Sequence, residues 1–155
     1  MEILAQQPAL PHWLADRWRK QWGEDNVARF DVLARQEAPV DVCLVSAPTA
    51  PPPDAQALPT GQFRFTDGFP AFQDSDIGQA GKWWVQDLGA HLPIAALGEL
   101  TGKTAIDLCS APGGKTLQLA HGGADVVSVD NSGHRLERVN QNLERTGLKA
   151  AVKQI

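Results

Sequence analysis

The run Asp107-Leu108-Cys109-Ser110-Ala111-Pro112-Gly113-Gly114-Lys115-Thr116 holds the residue types best suited to grip a ligand. Its paired glycines let backbone come close to a bound group, because no Cβ stands in the way. Gly114-Lys115-Thr116 has the tail of a phosphate loop, but such a loop needs an earlier glycine at the position that Cys109 occupies. Pro112 also removes an N–H that a phosphate cradle would use. The dinucleotide spacing, Gly-x-Gly-x-x-Gly, fails as well, because Gly113 and Gly114 are adjacent and no third glycine follows in step. The spacing therefore predicts a ligand held without a phosphate cradle.

The flanking residues say what must position this run. Thr104-Ala105-Ile106 reads as the first strand of a parallel sheet, and Leu117 to Ala120 as a helix. A glycine-bearing turn between a strand and a helix N-terminus is where nucleotide-like ligands sit in doubly wound folds. Ala124 to Asp130 reads as a β-branched second strand that ends in an acid, 16 residues after Gly114. An acid at that place suits a grip on ribose hydroxyls. Ser132 can cap a following helix with Leu136, Val139 and Leu143 on one face, and Gly147 is placed to end it. Ala150 to Ile155 reads as the start of a third strand. This order predicts an α/β fold and the first half of a Rossmann-like S-adenosylmethionine site, or of a close relative.

The motif from Asp107 to Thr116 resembles the first motif of the Sun-type RNA 5-methylcytosine methyltransferases. Gly81-Lys82-Trp83-Trp84-Val85-Gln86-Asp87 is similar to the tryptophan-and-VQD segment that precedes it in that family. Asp130, Arg135-Leu136, Arg138-Val139, Asn142-Leu143 and Arg145-Thr146-Gly147-Leu148 resemble its second motif. Pro11-His12-Trp13-Leu14 and Arg17-Trp18 look like the helical lead-in of the bacterial ribosomal RNA methyltransferase B subgroup. The resemblance implies S-adenosylmethionine as cofactor, RNA of the small ribosomal subunit as partner, and a cytoplasmic enzyme. It implies that Cys109, Ser110, Ala111, Pro112, Gly113, Gly114 and Lys115 hold the amino-acid end of the cofactor and that Asp130 holds its ribose. Lys115 could instead reach an RNA phosphate or point to solvent. Gln86 and Asp87 are candidates to hold the cofactor loop or to cap the helix that starts there. Arg135 could pair with Asp130 or contact the ligand, but a charged residue one turn into a helix is expected in solvent.

The same resemblance implies a gap. Family members use two cysteines beyond the second motif: one thiolate adds to cytosine C6, and the other helps to release the product. A thiolate suits that soft carbon. The only cysteines here are Cys43 and Cys109, neither at such a position, so no catalytic residue is assigned. The expectation is a truncated Rossmann-like domain, a fragment of a longer methyltransferase. The alternative is a noncatalytic S-adenosylmethionine-binding or RNA-associated remnant.

Composition narrows the class further. There is no 18-residue apolar run and no signal-peptide pattern, so nothing points to a membrane. Two cysteines and four scattered histidines give neither a disulfide framework nor a metal site. Asp74-x-Asp76-x-Gly78 resembles a calcium loop only until Val85, which stands where a bidentate acid is required. Residues 1–100 carry 7 Lys+Arg against 13 Asp+Glu (net −6), and residues 101–155 carry 7 against 5 (net +2). With a pI near 5.5, overall charge makes no case for RNA binding. Nothing in the sequence fixes an oligomeric state.

The reading places a small α+β region with a Pro-rich linker in 1–60, and the cofactor half-domain in 61–155. Residues 10–23 read as a helix with Leu14, Trp18 and Trp22 on one stripe, expected to be core rather than a base-stacking face. Val27 to Ala38 reads as a second helix and Val40 to Val45 as a strand. Ser46 to Gly61, with five prolines, reads as a linker or long loop, and 62–82 as a short strand and an irregular loop. Val85, Leu88, Leu92 and Ala95 give a helical stripe that Pro93 would kink.

Overall fold

The structure, a computed structural model, describes residues 9–155. It divides into two compact units, with the division in the chain between Ala38 and Pro39. The first is a helical hairpin, α1 (His12–Trp22) and α2 (Glu24–Leu33). Gly23 joins them with φ 81, in the left-handed region that glycine tolerates, and its N–H closes α1 on the Arg19 carbonyl. Glu24 and Asp25 stand in the first turn of α2, where negative charge suits the helix dipole, and α2 starts earlier than its apolar spacing predicts. The expected core stripe is only partly realised. Trp18 packs edge-on against Phe30 with centroids 5.2 Å apart, whereas Trp22 is 53% exposed and no α1 residue is buried. Two helices alone can cover no more than one narrow seam.

The second unit runs from Pro39 to Ile155 and holds both sheets. The first is antiparallel, in order β2-β3-β1-β4, from β1 (Val40–Leu44), β2 (Gln56–Ala57), β3 (Phe63–Phe65) and β4 (Trp83–Val85). Strand β1 is central: Val42 pairs with Phe63 of β3 and with Val85 of β4. A boundary at residue 60 therefore cuts one sheet in two, and the division falls at 38/39 instead. Two short helices, α3 (Phe69–Asp74) and α4 (Asp76–Gln79), replace the expected loop. They close a cluster of Val42, Phe63, Phe65 and Phe72, with Phe69, Ile77 and Trp83 around it. Val85 belongs to β4, and α5 (Leu88–Ala95) begins three residues later, capped by Asp87 and running through Pro93.

The second sheet is parallel, in order β5-β6-β7, from β5 (Thr104–Leu108), β6 (Asp125–Asp130) and β7 (Ala151–Gln154). Helices α6 (Gly114–His121) and α7 (Gly133–Thr146) make the crossovers. Ser132 caps α7 and Gly147, at φ 76, ends it, as the spacing predicts. Leu136, Val139 and Leu143 bury their stripe against Leu117, Ala111 and Trp84. In this parallel register Ala105 and Val126 share the helix-covered face with Leu100 and Leu119. Ile106 and Leu108 point the other way and are 65 and 69% exposed. No helix among the described residues is long and apolar enough to cross a membrane.

Candidate functional site

The loop from Cys109 to Gly113 leaves the end of β5 and enters α6. It is tied down from behind. Ser110 donates its N–H to the Val129 carbonyl at 3.0 Å, and its hydroxyl receives that of Ser128 at 2.7 Å. Ala111 donates its N–H to Asp130 Oδ2 at 3.2 Å, and its carbonyl accepts Arg135 Nη2 at 2.7 Å. The Pro112 carbonyl accepts Asn142 Nδ2 at 3.1 Å. Gly113, at φ 108, turns the chain into α6, and a Cβ there would stand 3.4 Å from Val139. Cys109 is exposed and takes φ 57, a conformation costly for a residue with a Cβ. Backbone strain of this kind gathers at ligand clamps.

Asp130 sits at the end of β6, and its side chain is 1% exposed. Oδ1 accepts the Ser132 N–H at 3.1 Å, and Arg135 Nη1 lies 3.5 Å from Oδ2. The Ser132 N–H holds this carboxyl below the usual aspartate range, against burial and with help from Ala111 and Arg135. The sequence placed Asp130 at the strand end but gave no sign of its bond to Ala111. The pairing of Arg135 with Asp130 was the alternative to solvent; the bonds of Arg135 and Asn142 to loop carbonyls had no signal beyond their seven-residue spacing on one helix.

The two further candidates, Gln86 and Asp87, make their hydrogen bonds outside the loop. Gln86 accepts from Trp84 Nε1 at 3.0 Å and donates to Gln118 at 2.6 Å. Asp87 accepts the Gly89 N–H at 2.7 Å, so it caps α5. A cleft of about 370 Å³ opens between this segment and the loop, bordered by Val85, Asp87, Asp107, Cys109, Gly114 and Lys115. Gly114 has no positive φ, and the nearest neighbours of a Cβ there would be Gln86 and the Val85 carbonyl, at 3.6 Å or more. The fold thus has room for a methyl group, and the bare surface faces the cleft. Gly114, Lys115 and Thr116 open α6, and the first N–H groups of a helix have no acceptor within it. Such donors and a bare glycine fit an anionic group, such as an amino-acid carboxylate, at close range. Lys115 is exposed beside them.

Cys43 lies elsewhere, on β1, 3.7 Å from His91 Nδ1 and 3.8 Å from Gln86 Oε1. Burial pushes its thiol up to about 12, which leaves it protonated and inert. It borders a larger cavity, of about 630 Å³, with Trp84, His91 and Gln118; no residue of 101–117 lines it. No group of His, Cys, Asp or Glu that could hold a metal occurs among the described residues.

A parallel half-sheet with helices on one face and a pinned, glycine-bearing loop at its first strand end fits a truncated Rossmann-like domain. The fold is shared with NSun6 from Pyrococcus horikoshii, solved with SFG, an analogue of S-adenosylmethionine. That match has a TM-score of 0.76 at 12% identity and covers 96% of this chain and 66% of the other. Residues 94–155 match the family described as 16S rRNA methyltransferase RsmB/F. The ribosomal RNA small subunit methyltransferase B of Salmonella arizonae is 46% identical over 72 residues, which are 45% of this chain and 17% of the relative. That of Shigella sonnei is 40% identical over 109 residues, 69% of this chain and 24% of the relative. The chain thus spans about a quarter or less of the curated relatives it matches.

Proposed function

We propose that this chain is the cofactor-binding front part of a cytoplasmic, S-adenosylmethionine-dependent RNA cytosine-C5 methyltransferase that acts on small-subunit ribosomal RNA. The loop carries this reading: its back is pinned by β6 and α7, while the α6 N-terminus and the bare face of Gly114 border the cleft. That loop lies inside the segment matched to the RsmB/F family. When bound, the cofactor supplies an electrophilic methyl group. The residues of this chain bind and orient it. The backbone from Cys109 to Lys115 takes the amino-acid end, with Lys115 beside the carboxylate. Asp130, at the end of β6, takes a ribose hydroxyl with carboxylate lone pairs that its backbone and Arg135 donors leave unused.

No residue here is assigned to attack on the base. Cys43 is a buried, protonated thiol and Cys109 belongs to the cofactor loop. The uncovered face of the parallel sheet, with Ile106 and Leu108 exposed, favours a further layer of methyltransferase chain over a self-contained remnant. Calorimetric titration with S-adenosylhomocysteine, NAD and ATP tests the reading. S-adenosylhomocysteine is expected to bind tightest, and Asp130→Ala to weaken it roughly tenfold, the scale of one lost hydrogen bond to a charged group. Tighter binding of NAD or ATP would sink the methyl-transfer reading.

A further inference from the structure

Two side chains of α7 reach back to the cofactor loop. Arg135 and Asn142 stand two helical turns apart on one face, and each donates to a loop carbonyl: Arg135 to Ala111 at 2.7 Å, Asn142 to Pro112 at 3.1 Å. The Ala111 N–H is taken by Asp130, and Arg135 Nη1 stands 3.5 Å from the oxygen that takes it. An Asp–Arg pair therefore holds Ala111 by its N–H and its C=O together. A peptide unit is planar, so holding the Ala111 and Pro112 carbonyls sets the planes of two successive units, of which only the second carries an N–H, that of Gly113. Two such fixed units in succession set the path along which Gly113 and Gly114 enter α6.

The apolar packing of α7 rests on other residues, and Asn142 has one further side-chain bond, accepting Arg145 Nη2 at 3.0 Å. Leu136, Val139 and Leu143 bury the helix, while the Arg135 side chain is 54% exposed. A long cation so exposed gains little stability from one ion pair. Its geometry is informative because the acceptor is a loop carbonyl and not a second surface charge.

We propose that Arg135 and Asn142 are positioning residues for the amino-acid end of the cofactor. They act through the carbonyls of Ala111 and Pro112 and touch no part of the ligand. This rests on the assignment of an S-adenosylmethionine-type ligand to the cleft, and the test separates the two. S-adenosylhomocysteine carries the amino-acid end, and 5′-methylthioadenosine lacks it. A loop set by α7 matters for the first ligand and not for the second.

The 155-residue chain is titrated with both ligands, as wild type, Asn142→Ala, Arg135→Met, Arg135→Lys and the double variant Arg135→Met/Asn142→Ala, with melting curves alongside. Wild type is expected to prefer S-adenosylhomocysteine. The double variant should lose at least tenfold of that preference, hold 5′-methylthioadenosine within twofold, and melt near wild type. Arg135→Lys, which keeps a single donor, should recover part of the loss. Should the double variant melt below the titration temperature, Asn142→Ala alone is read, with a smaller loss of preference expected. Equal losses for both ligands would mean a merely structural role, and an unchanged preference would mean no role; either overturns the inference while leaving the cofactor assignment intact. Wild type that binds neither ligand overturns the assignment itself, and the inference with it.

Discussion

The Thr116 hydroxyl donates to Asp107 Oδ2 at 2.6 Å, from the first turn of α6 to the end of β5, and so closes the cofactor loop at its base. Thr116 is fully buried and Asp107 nearly so. Ser128 Oγ lies 3.2 Å from the same hydroxyl and donates its own hydrogen bond to Ser110 Oγ at 2.7 Å. Four polar side chains from β5, the loop, α6 and β6 are thus joined beneath the ligand cleft. A buried network of this kind rigidifies only while every member has a partner. Thr116→Val keeps the shape and removes the donor, which leaves a buried carboxylate short of a partner. The expected cost is about 1–3 kcal/mol. Urea unfolding measures it, and Thr116→Ser should restore most of the loss. Equal stability of the Val and Ser variants would show that the hydroxyl is not the link.

Gly114 separates the needs of the fold from those of the ligand. A Cβ there meets nothing closer than 3.6 Å, and the position is helical. Alanine is the better helix former by about 1 kcal/mol. Gly114→Ala should therefore leave the melting temperature unchanged or raise it, yet weaken S-adenosylhomocysteine by at least tenfold, because the methyl projects into the cleft beside Val85 and Gln86. Calorimetry on a variant that melts like wild type reads the effect directly. Unchanged affinity would move the ligand away from this end of α6.

The parallel half of the fold was legible in the sequence because its signals are local. The stripe Leu136, Val139, Leu143, the cap at Ser132 and the stop at Gly147 all lie within one helix, and all are realised. Where distant pairing decides, local spacing misleads. Val85, Leu88 and Leu92 have helical spacing, but Val85 is drawn into β4 by Val42, far earlier in the chain. The helices over 69–79 are only six and four residues long, too short to show a period. At the site, the type and place of Asp130 could be read, but not the Ala111 N–H that meets it. Arg135 looked like a solvated helix residue because its acceptor is a backbone carbonyl, which has no sequence signature.

Asp41 gives the antiparallel sheet a dependence on acid. It faces Arg64 directly across β1 and β3, receives that guanidinium at 2.7 and 2.8 Å, and accepts the Leu88 N–H at 2.9 Å. The Arg64 hydrogen bonds hold its carboxyl below the ordinary aspartate value of 3.8, with burial opposing and Leu88 assisting. Above 3.8 the folded and unfolded chains both carry the charge, and the stabilisation is complete. As pH falls below that value the unfolded chain takes up the proton first, and the stabilisation is lost as the folded carboxyl titrates. Unfolding free energies of wild type and Asp41→Asn, measured from neutral pH down through the carboxylate range, should differ most at the neutral end and converge in acid. A difference that stays constant would mean that Asp41 carries no ion pair.

The uncovered face of the parallel sheet makes the last prediction. β5 pairs with β6 on one side and, among the described residues, has no strand on the other, and its outward side chains Ile106 and Leu108 are 65 and 69% exposed. A parallel strand is ordinarily buried on both faces. An unpaired edge beside exposed aliphatics is a template for association with another chain. The 155 residues made alone should therefore self-associate as concentration rises. Leu108→Lys places a charge on the free edge strand without touching the helix-covered face. It should shift the chain toward monomer in sedimentation velocity and leave the melting temperature within a few degrees of wild type, since surface changes of this kind cost about 0.5 kcal/mol or less. Wild type that stays a monodisperse monomer at high concentration would show that this face is tolerated as it stands, and would weaken the case for a further layer of chain upon it.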